Sequence, residues 1–306
     1  MLYVTLVFIM QARRRIILDY IHMKAHAKIN LSLDILGKRS DGYHDMRSVM
    51  QTLHLHDDLT IKKIHKQKFK LVCNLNWLPV DSDNLVHKAA TILIKNFNIE
   101  SGIFIELNKK IPVAAGLAGG SSDCAATLLG IRKLFKLPIS DAELSSIGKT
   151  LGADVPYCMT GGTVLAEGLG DQITKLPHHP QTLVVLAKPP ISLSTSTVFK
   201  KFKLENVTER PNIEKMIDDI KNQNLHDIAG GFCNVLESVS LKLSPDIEKI
   251  KLTMLQNNAL NSLMSGSGPT VFGYFQHKSD AVRAINSIKS ENPNIREVFL
   301  TSIYNV

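Results

Sequence analysis

The chain has 306 residues, 44% hydrophobic and 21% charged, enough to bury a large core as one domain or two closely packed ones, which excludes disordered and fibrous classes. A formal charge of +8 suits an anionic ligand, but the lysines are scattered and never interleave with aromatics, which argues against a nucleic-acid partner. Cys73, Cys124, Cys158 and Cys233 lack CxxC spacing, so neither a zinc site nor a secreted disulfide framework is expected, and a reducing cytoplasm fits.

The first segment, MLYVTLVFIMQARRRIILDYIH, places an apolar stretch before Arg13, Arg14 and Arg15, the reverse of a secretory signal. No later apolar run reaches the roughly 18 residues that span a bilayer, so no membrane partner is expected. From Ala25, AHAKINLSLDILGKRSDGYHDM alternates through Ile29, Leu31, Leu33 and Ile35 and then breaks, which predicts a half-buried strand entering a polar loop. Alternation returns at 53–64 and 69–75, NLVHKAATILIKNF at 84–97 has helical period, and IFIEL at 103–107 reads as a strand.

Residues 111–130, IPVAAGLAGGSSDCAATLLG, set four glycines and two serines against the start of a helix predicted to run to about Phe135. Glycine at this density loses much backbone freedom on folding, so something must offset it. One candidate is a phosphate, held by the unpaired N–H groups and partial positive charge of a helix N-terminus. The other is a turn that only lets a helix pack closely on a sheet. Neither GxxxxGK[ST] nor GxGxxG occurs in this stretch, and the loop alone does not name a function.

Ser140 with Glu143 forms a capping-box pattern, and Gly152 supplies the helix stop. Strands are predicted at 161–167 and 182–188, ending at Lys188-Pro189-Pro190, a natural domain boundary. Beyond it the pattern predicts helices near 196–203, 211–223, 227–240 and 245–257, a strand at 270–276, a helix at 279–290 and a strand at 295–303. Strands and helices mix without a regular βα repeat, which favours α+β in two lobes over a doubly wound sheet.

Three separated segments, AKINLSLDI at 27–35, IPVAAGLAGGSSDCAATL at 111–128 and LMSGSGPTVFG at 263–273, together resemble the signature motifs of the GHMP kinases, which include galactokinase, homoserine kinase and mevalonate kinase. AKINLSL followed by GKRSDGYH, and GADVPYCMTGG followed by AEGLGD, resemble the members that phosphorylate the 2-hydroxyl of 4-diphosphocytidyl-2-C-methylerythritol in the non-mevalonate route to isoprenoid precursors. The resemblance covers nearly everything after Met23. It implies a two-lobed α+β fold: an ATP-binding domain at 23–188, a C-terminal domain at 189–306, and the active site between them. Residues 1–22 would be an N-terminal extension outside the native fold.

The resemblance also implies roles. Pro112, Val113, Ala114, Ala115, Gly116, Leu117, Ala118, Gly119, Gly120, Ser121 and Ser122 would wrap the triphosphate of ATP. The family often has glycine where this chain has Ala114, Ala115 and Ala118; because alanine disfavours φ > 0, the closest phosphate approach is expected at Gly116, Gly119 and Gly120. Gly266, Ser267 and Gly268 would bring a second turn against the first, or simply turn the chain into the strand at 270–276. Asp154 would accept the proton of the attacking hydroxyl, or act chiefly through its charge, and Lys28 would orient that hydroxyl and keep Asp154 ionised. Read without the family, Asp154 is a helix cap and Lys28 an edge lysine.

On the acceptor side the resemblance implies a cytosine between Tyr43 and Phe199, with His44 at its edge, Asn30 on the polyol and Thr195 nearby. Without it, Phe199 reads as a core aromatic. The family usually has prolines around the threonine, where this chain has Ser194 and Ser196. Asn84 and Lys109 match positions near adenosine, or are a helix N-cap and a solvated lysine. Magnesium is expected on ATP oxygens and water rather than on a protein ligand set, with Ser121 or Ser122 close by. The partners expected are small molecules. Two rivals stay open on sequence: another small-molecule GHMP kinase, and a non-catalytic nucleotide- or RNA-binding module.

Overall fold

A computed structural model of the protein describes residues 19–65 and 68–306. Two long strands, β1 (Tyr20–Lys38) and β2 (His44–Ile64), form an antiparallel hairpin running from Tyr20 opposite Lys62 to Lys38 opposite His44. β2 is long enough to serve two neighbours: its second half pairs with β4 (Gly102–Asn108), its first half with β5 (Thr163–Gly168). β3 (Phe69–Cys73) runs parallel to β4, β6 (Gln172–Lys175) pairs with β5, and the two-residue β8 (Cys233–Asn234) runs parallel to β1. A second sheet has the order β11 (Glu297–Ser302), β7 (Leu183–Lys188), β10 (Val271–Phe275), β9 (Ser262–Met264).

Residues 27–35 of β1 are buried without alternation, polar ones included, which marks a strand covered on both faces. Below it, Ala25, Leu59 and Ile61 join Val86, Ala89 and Leu93 of α1 (Leu85–Asn96) and Cys124, Ala125, Leu128 and Ile131 of α2 (Gly119–Phe135). Further along, Leu33 and Ile35 meet Val185, Ala187 and Phe275 of the second sheet. Each such fully buried Leu or Ile favours folding by about 1.5–3 kcal/mol, so β1 is the spine shared by both lobes. Arg47 on β2 reaches Glu167 on the neighbouring β5 at 2.9 Å and, across the lobes, Glu214 at 2.8 Å.

Several elements differ from the sequence expectations. β1 begins at Tyr20, and Ile21 is buried in the core with Leu59 and Ile61, so residues 20–22 belong to the sheet rather than to an extension. Residues 1–18 lie outside the described residues. By sheet membership β7 sits with the second lobe, so the chain crosses over after β6 rather than at Pro189. The helix expected at 227–240 is α7 (Leu225–Gly230), β8 and α8 (Glu237–Leu243), broken where Gly230 and Gly231 meet. α3 (Asp141–Leu151) carries the full capping box, with Ser140 and Glu143 each bonded to the other's backbone. A short α4 (Val155–Thr160) follows it; α5 (Thr195–Lys201), α6 (Ile213–Lys221), α9 (Asp246–Gln256) and α10 (Lys278–Glu291) complete the α-helices of the described residues.

Candidate active site

A cavity of about 1050 Å³ lies between the lobes. Its floor is β1, where a register shift between His26 and Lys28 aims Lys28 inward. Lys28 Nζ donates to Asn30 Oδ1 at 2.7 Å and to the Gly116 carbonyl at 3.3 Å, and it lies 3.9 Å from Asp154 Oδ2. Asn30 Nδ2 in turn donates to Ser48 Oγ at 2.7 Å, whose hydroxyl donates to the Ser32 carbonyl. Asp154 occupies the N-cap of α4, yet its side chain makes no capping bond. α4 is held from below, where Tyr157 OH and Thr52 Oγ1 share a bond of 2.7 Å. The carboxylate is therefore free to meet a ligand.

The glycine-rich loop forms one wall. Pro112, Val113, Ala114, Ala115, Gly116, Ala118, Gly119, Gly120 and Ser121 line the cavity. Leu117 and Ser122 do not: Leu117 is buried in the core, and Ser122 Oγ donates to the His26 carbonyl at 2.7 Å. Positive φ falls at Ala114 (52°), Gly116 (75°) and Ala118 (56°), while Gly119 and Gly120 are already helical. This corrects the expectation that the alanines avoid such angles. Two residues with a Cβ hold the left-handed conformation, at a local cost of roughly 1–2 kcal/mol each.

The third glycine turn packs directly on this loop. Ser265 Oγ donates to the Gly116 carbonyl at 2.9 Å, and a Cβ added at Gly266 would stand 3.3 Å from that same oxygen and 3.5 Å from Lys28 Nζ. Asn234 of β8 donates to the carbonyls of Met264 and Gly266, both at 2.8 Å, holding the turn in place. Gly266 and Ser267 line the cavity; Gly268 (φ 81°) lies behind, against Met264.

At the other end stand Tyr43, His44, Thr195 and Phe199. Phe199 faces His44 with ring centroids 5.5 Å apart, and Tyr43 is 65% exposed. Thr195 Oγ1 and Ser267 Oγ share a bond of 2.9 Å, tying α5 to the third turn. Partial burial, then the Lys38 charge, lower the His44 pKa, so its ring is neutral at pH 7 and offers both a donor and an acceptor.

Asn84 lines the cavity and also caps α1, accepting from the Val86 N–H at 2.9 Å. Lys109 is no solvated lysine: it is buried, with Nζ between Asp57 and Asp123. Sequence reasoning missed both aspartates. The signal was an acid inside an apolar strand, HLHDDL, and another inside a helix of small apolar residues, SSDCAA. Met50, Leu169 and Lys200 on the walls carried no pattern that would have singled them out.

With this geometry in hand, the comparisons with known proteins are specific. Residues 84–162 match the GHMP kinases N terminal domain and residues 210–294 the GHMP kinases C terminal domain. The chain is 46% identical over 287 residues to a 4-diphosphocytidyl-2-C-methyl-D-erythritol kinase of Lachnoclostridium phytofermentans, covering 94% of this chain and 98% of that one. It is 45% identical over 273 residues to the protein of the same name from Acetivibrio thermocellus, covering 89% and 96%. A crystal structure of 4-(cytidine 5'-diphospho)-2C-methyl-D-erythritol kinase superposes with a TM-score of 0.79 at 26% identity, over 94% of this chain and all of that one. Homoserine kinase from Cytophaga hutchinsonii shares the fold, with a TM-score of 0.73 at 20% identity over 94% and 95% of the two chains. The chain belongs to the GHMP kinase family, among the 4-diphosphocytidyl-2-C-methyl-D-erythritol kinases.

Proposed function

We infer that the chain is an ATP-dependent kinase that phosphorylates the 2-hydroxyl of 4-diphosphocytidyl-2-C-methyl-D-erythritol, a step toward isoprenoid precursors. The observation that carries this reading is the meeting of Lys28, Asn30 and Asp154 with the glycine loop at one point, Lys28 Nζ lying 3.3 Å from the Gly116 carbonyl and 3.9 Å from Asp154 Oδ2. Phosphoryl transfer asks little covalent chemistry of a protein beyond position and charge. The loop N–H groups hold the triphosphate at the start of α2, where the helix dipole favours negative charge. The acceptor hydroxyl lies between Lys28 and Asp154; its oxygen forms the new bond to the γ-phosphorus as its proton passes to an Asp154 oxygen, the bond from the γ-phosphorus to the bridging oxygen breaks, and ADP leaves.

Among the described residues no group of three or more His, Cys, Asp or Glu could hold a metal ion. Magnesium would be carried on the phosphate oxygens of ATP and on water, beside the Ser121 hydroxyl on the adjoining wall. When bound, it would neutralise phosphate charge. Tyr43, His44 and Phe199 read the cytosine, and Thr195 fixes α5 beside it. Among the described residues no helix is long and apolar enough to cross a membrane. The free thiols of Cys73, Cys124, Cys158 and Cys233 suit a reducing cytoplasm.

The test is ADP release with the cytidyl substrate against homoserine and mevalonate as acceptors. Turnover with the cytidyl alcohol alone is expected. Comparable turnover of a cytidine-free alcohol would favour a different small-molecule kinase, and none with any acceptor would favour a binding module.

A further inference from the structure

Lys109 follows β4 at the entrance of the glycine loop, and its ammonium joins three elements. Nζ donates to Asp57 Oδ2 on β2 and, at 2.7 Å, to Asp123 Oδ2 in α2, at the loop's exit. The other oxygen of Asp57 accepts from the backbone N–H groups of Lys110 and, at 2.8 Å, Ile111. One buried cluster thus fixes where the loop begins, where it ends and what lies beneath it. A Cβ added at Gly119 would stand 3.1 Å from Lys109 Nζ, so the clamp sits directly under the first residue of α2.

As a stabilising device the cluster is poor. Two carboxylates share one ammonium, and Asp123 Oδ1 is buried with no hydrogen-bond partner. Burial, and then the neighbouring Asp57, push the Asp123 carboxyl well above its ordinary range against the pull of Lys109. Burial works against the Lys109 charge too, but Asp123 and Asp57 outweigh it and hold the ammonium above the usual lysine range. An apolar residue at 123 would avoid that desolvation. A costly group kept beside a ligand cavity suggests stability given up for function. Both Lys109 and Asp123 line that cavity.

We propose that Asp123 is a positioning residue for ATP: through Lys109 and Asp57 it holds the glycine loop in its phosphate-binding shape before the nucleotide arrives. The proposal rests on the kinase reading for its ligand. A loop already ordered spares binding the entropy of ordering it. The chemistry is left to Lys28 and Asp154, held through Asn30 and α4.

The test uses the full chain, with a non-hydrolysable ATP analogue titrated calorimetrically without acceptor, and thermal unfolding of the same samples. Asp123→Leu is expected to melt at or above the wild-type temperature while binding the analogue about tenfold more weakly. Asp123→Asn, whose amide oxygen can accept from Lys109, is expected to restore affinity to within about threefold. In turnover, the Leu variant is expected to raise KM for ATP while kcat and KM for the cytidyl alcohol stay within about twofold. Unchanged affinity in the Leu variant, failure of that variant to fold, or no rescue by Asn would each overturn the proposal. A wild-type chain that binds the analogue but phosphorylates no acceptor would overturn the function and leave the clamp standing.

Discussion

Lys28 Nζ is anchored to Asn30 Oδ1 at 2.7 Å and only faces Asp154 Oδ2, 3.9 Å away. An amide fixes the lysine, and the carboxylate, with no capping duty, keeps its oxygens for a ligand. Replacing Asp154 with Asn preserves size and removes the proposed proton acceptor. Turnover is predicted to fall by about 10² to 10⁴, with calorimetric affinity for the cytidyl alcohol changed by less than about twofold. Near-normal turnover would remove Asp154 as the base.

Asn30 is the hinge of that arrangement, accepting from Lys28 and donating to Ser48. Asn30→Leu leaves a buried ammonium without its nearest acceptor and free to swing. A fall in kcat of roughly 10- to 100-fold is predicted, since small misplacements near reacting atoms carry such penalties. Steady-state kinetics check it: a rise in KM alone would make Asn30 a binding group only.

The loop's backbone makes opposite predictions for neighbouring positions. At Gly116 an added Cβ would stand 2.3 Å from the Ser265 carbonyl, so Gly116→Ala is predicted to destabilise by about 1–3 kcal/mol and to separate the two glycine turns. Ala118 already holds φ 56°, so Ala118→Gly relieves strain and is predicted to stabilise by up to about 1 kcal/mol. Urea denaturation measures both. A stable Gly116→Ala protein would contradict the packing described.

Acid stability is predicted to depend on His179. Burial lowers its pKa to about 4 from 6.5 despite the opposing Pro180 carbonyl bond, with Tyr274 OH at 3.3 Å from the other nitrogen. The unfolded chain binds the proton first, so this contribution is complete above about pH 6.5 and is lost as pH falls through about 4, amounting to about 3 kcal/mol. His179→Gln is predicted to flatten the stability–pH curve in that window. A curve of unchanged slope would show that other groups set acid lability.

Tyr43→Ala and Phe199→Ala are each predicted to weaken the cytidyl alcohol by about 1–3 kcal/mol, the worth of base stacking, and to leave ATP affinity alone. Equal losses for both ligands would mean a folding defect instead.

Elements with strong local signals were legible in sequence: the capping box at Ser140, the amphipathic α1 and the strand–loop–helix around the glycines. What long-range pairing decides was not. Nothing local says that β7 joins β10 and β11, or that Ile21 packs under Leu59; a chain beginning at Met23 would lose that contact, contrary to the boundary the motif suggested. Cavity residues that lie in motifs were visible for the same reason, whereas Asp57 and Asp123, 66 positions apart, meet only because β2, β4 and α2 converge on Lys109. At Ala114 and Ala118 the local preference of alanine against positive φ yields to the packing of two turns.

The most direct test of the account is the proton-coupled ³¹P spectrum of the product made from ATP and 4-diphosphocytidyl-2-C-methyl-D-erythritol. The 2-carbon carries a methyl group and no hydrogen, so a phosphate placed there is predicted to give a new monoester resonance with no three-bond proton splitting. A doublet or triplet would place the phosphate on another hydroxyl, and an unchanged spectrum with intact ATP would contradict the function itself.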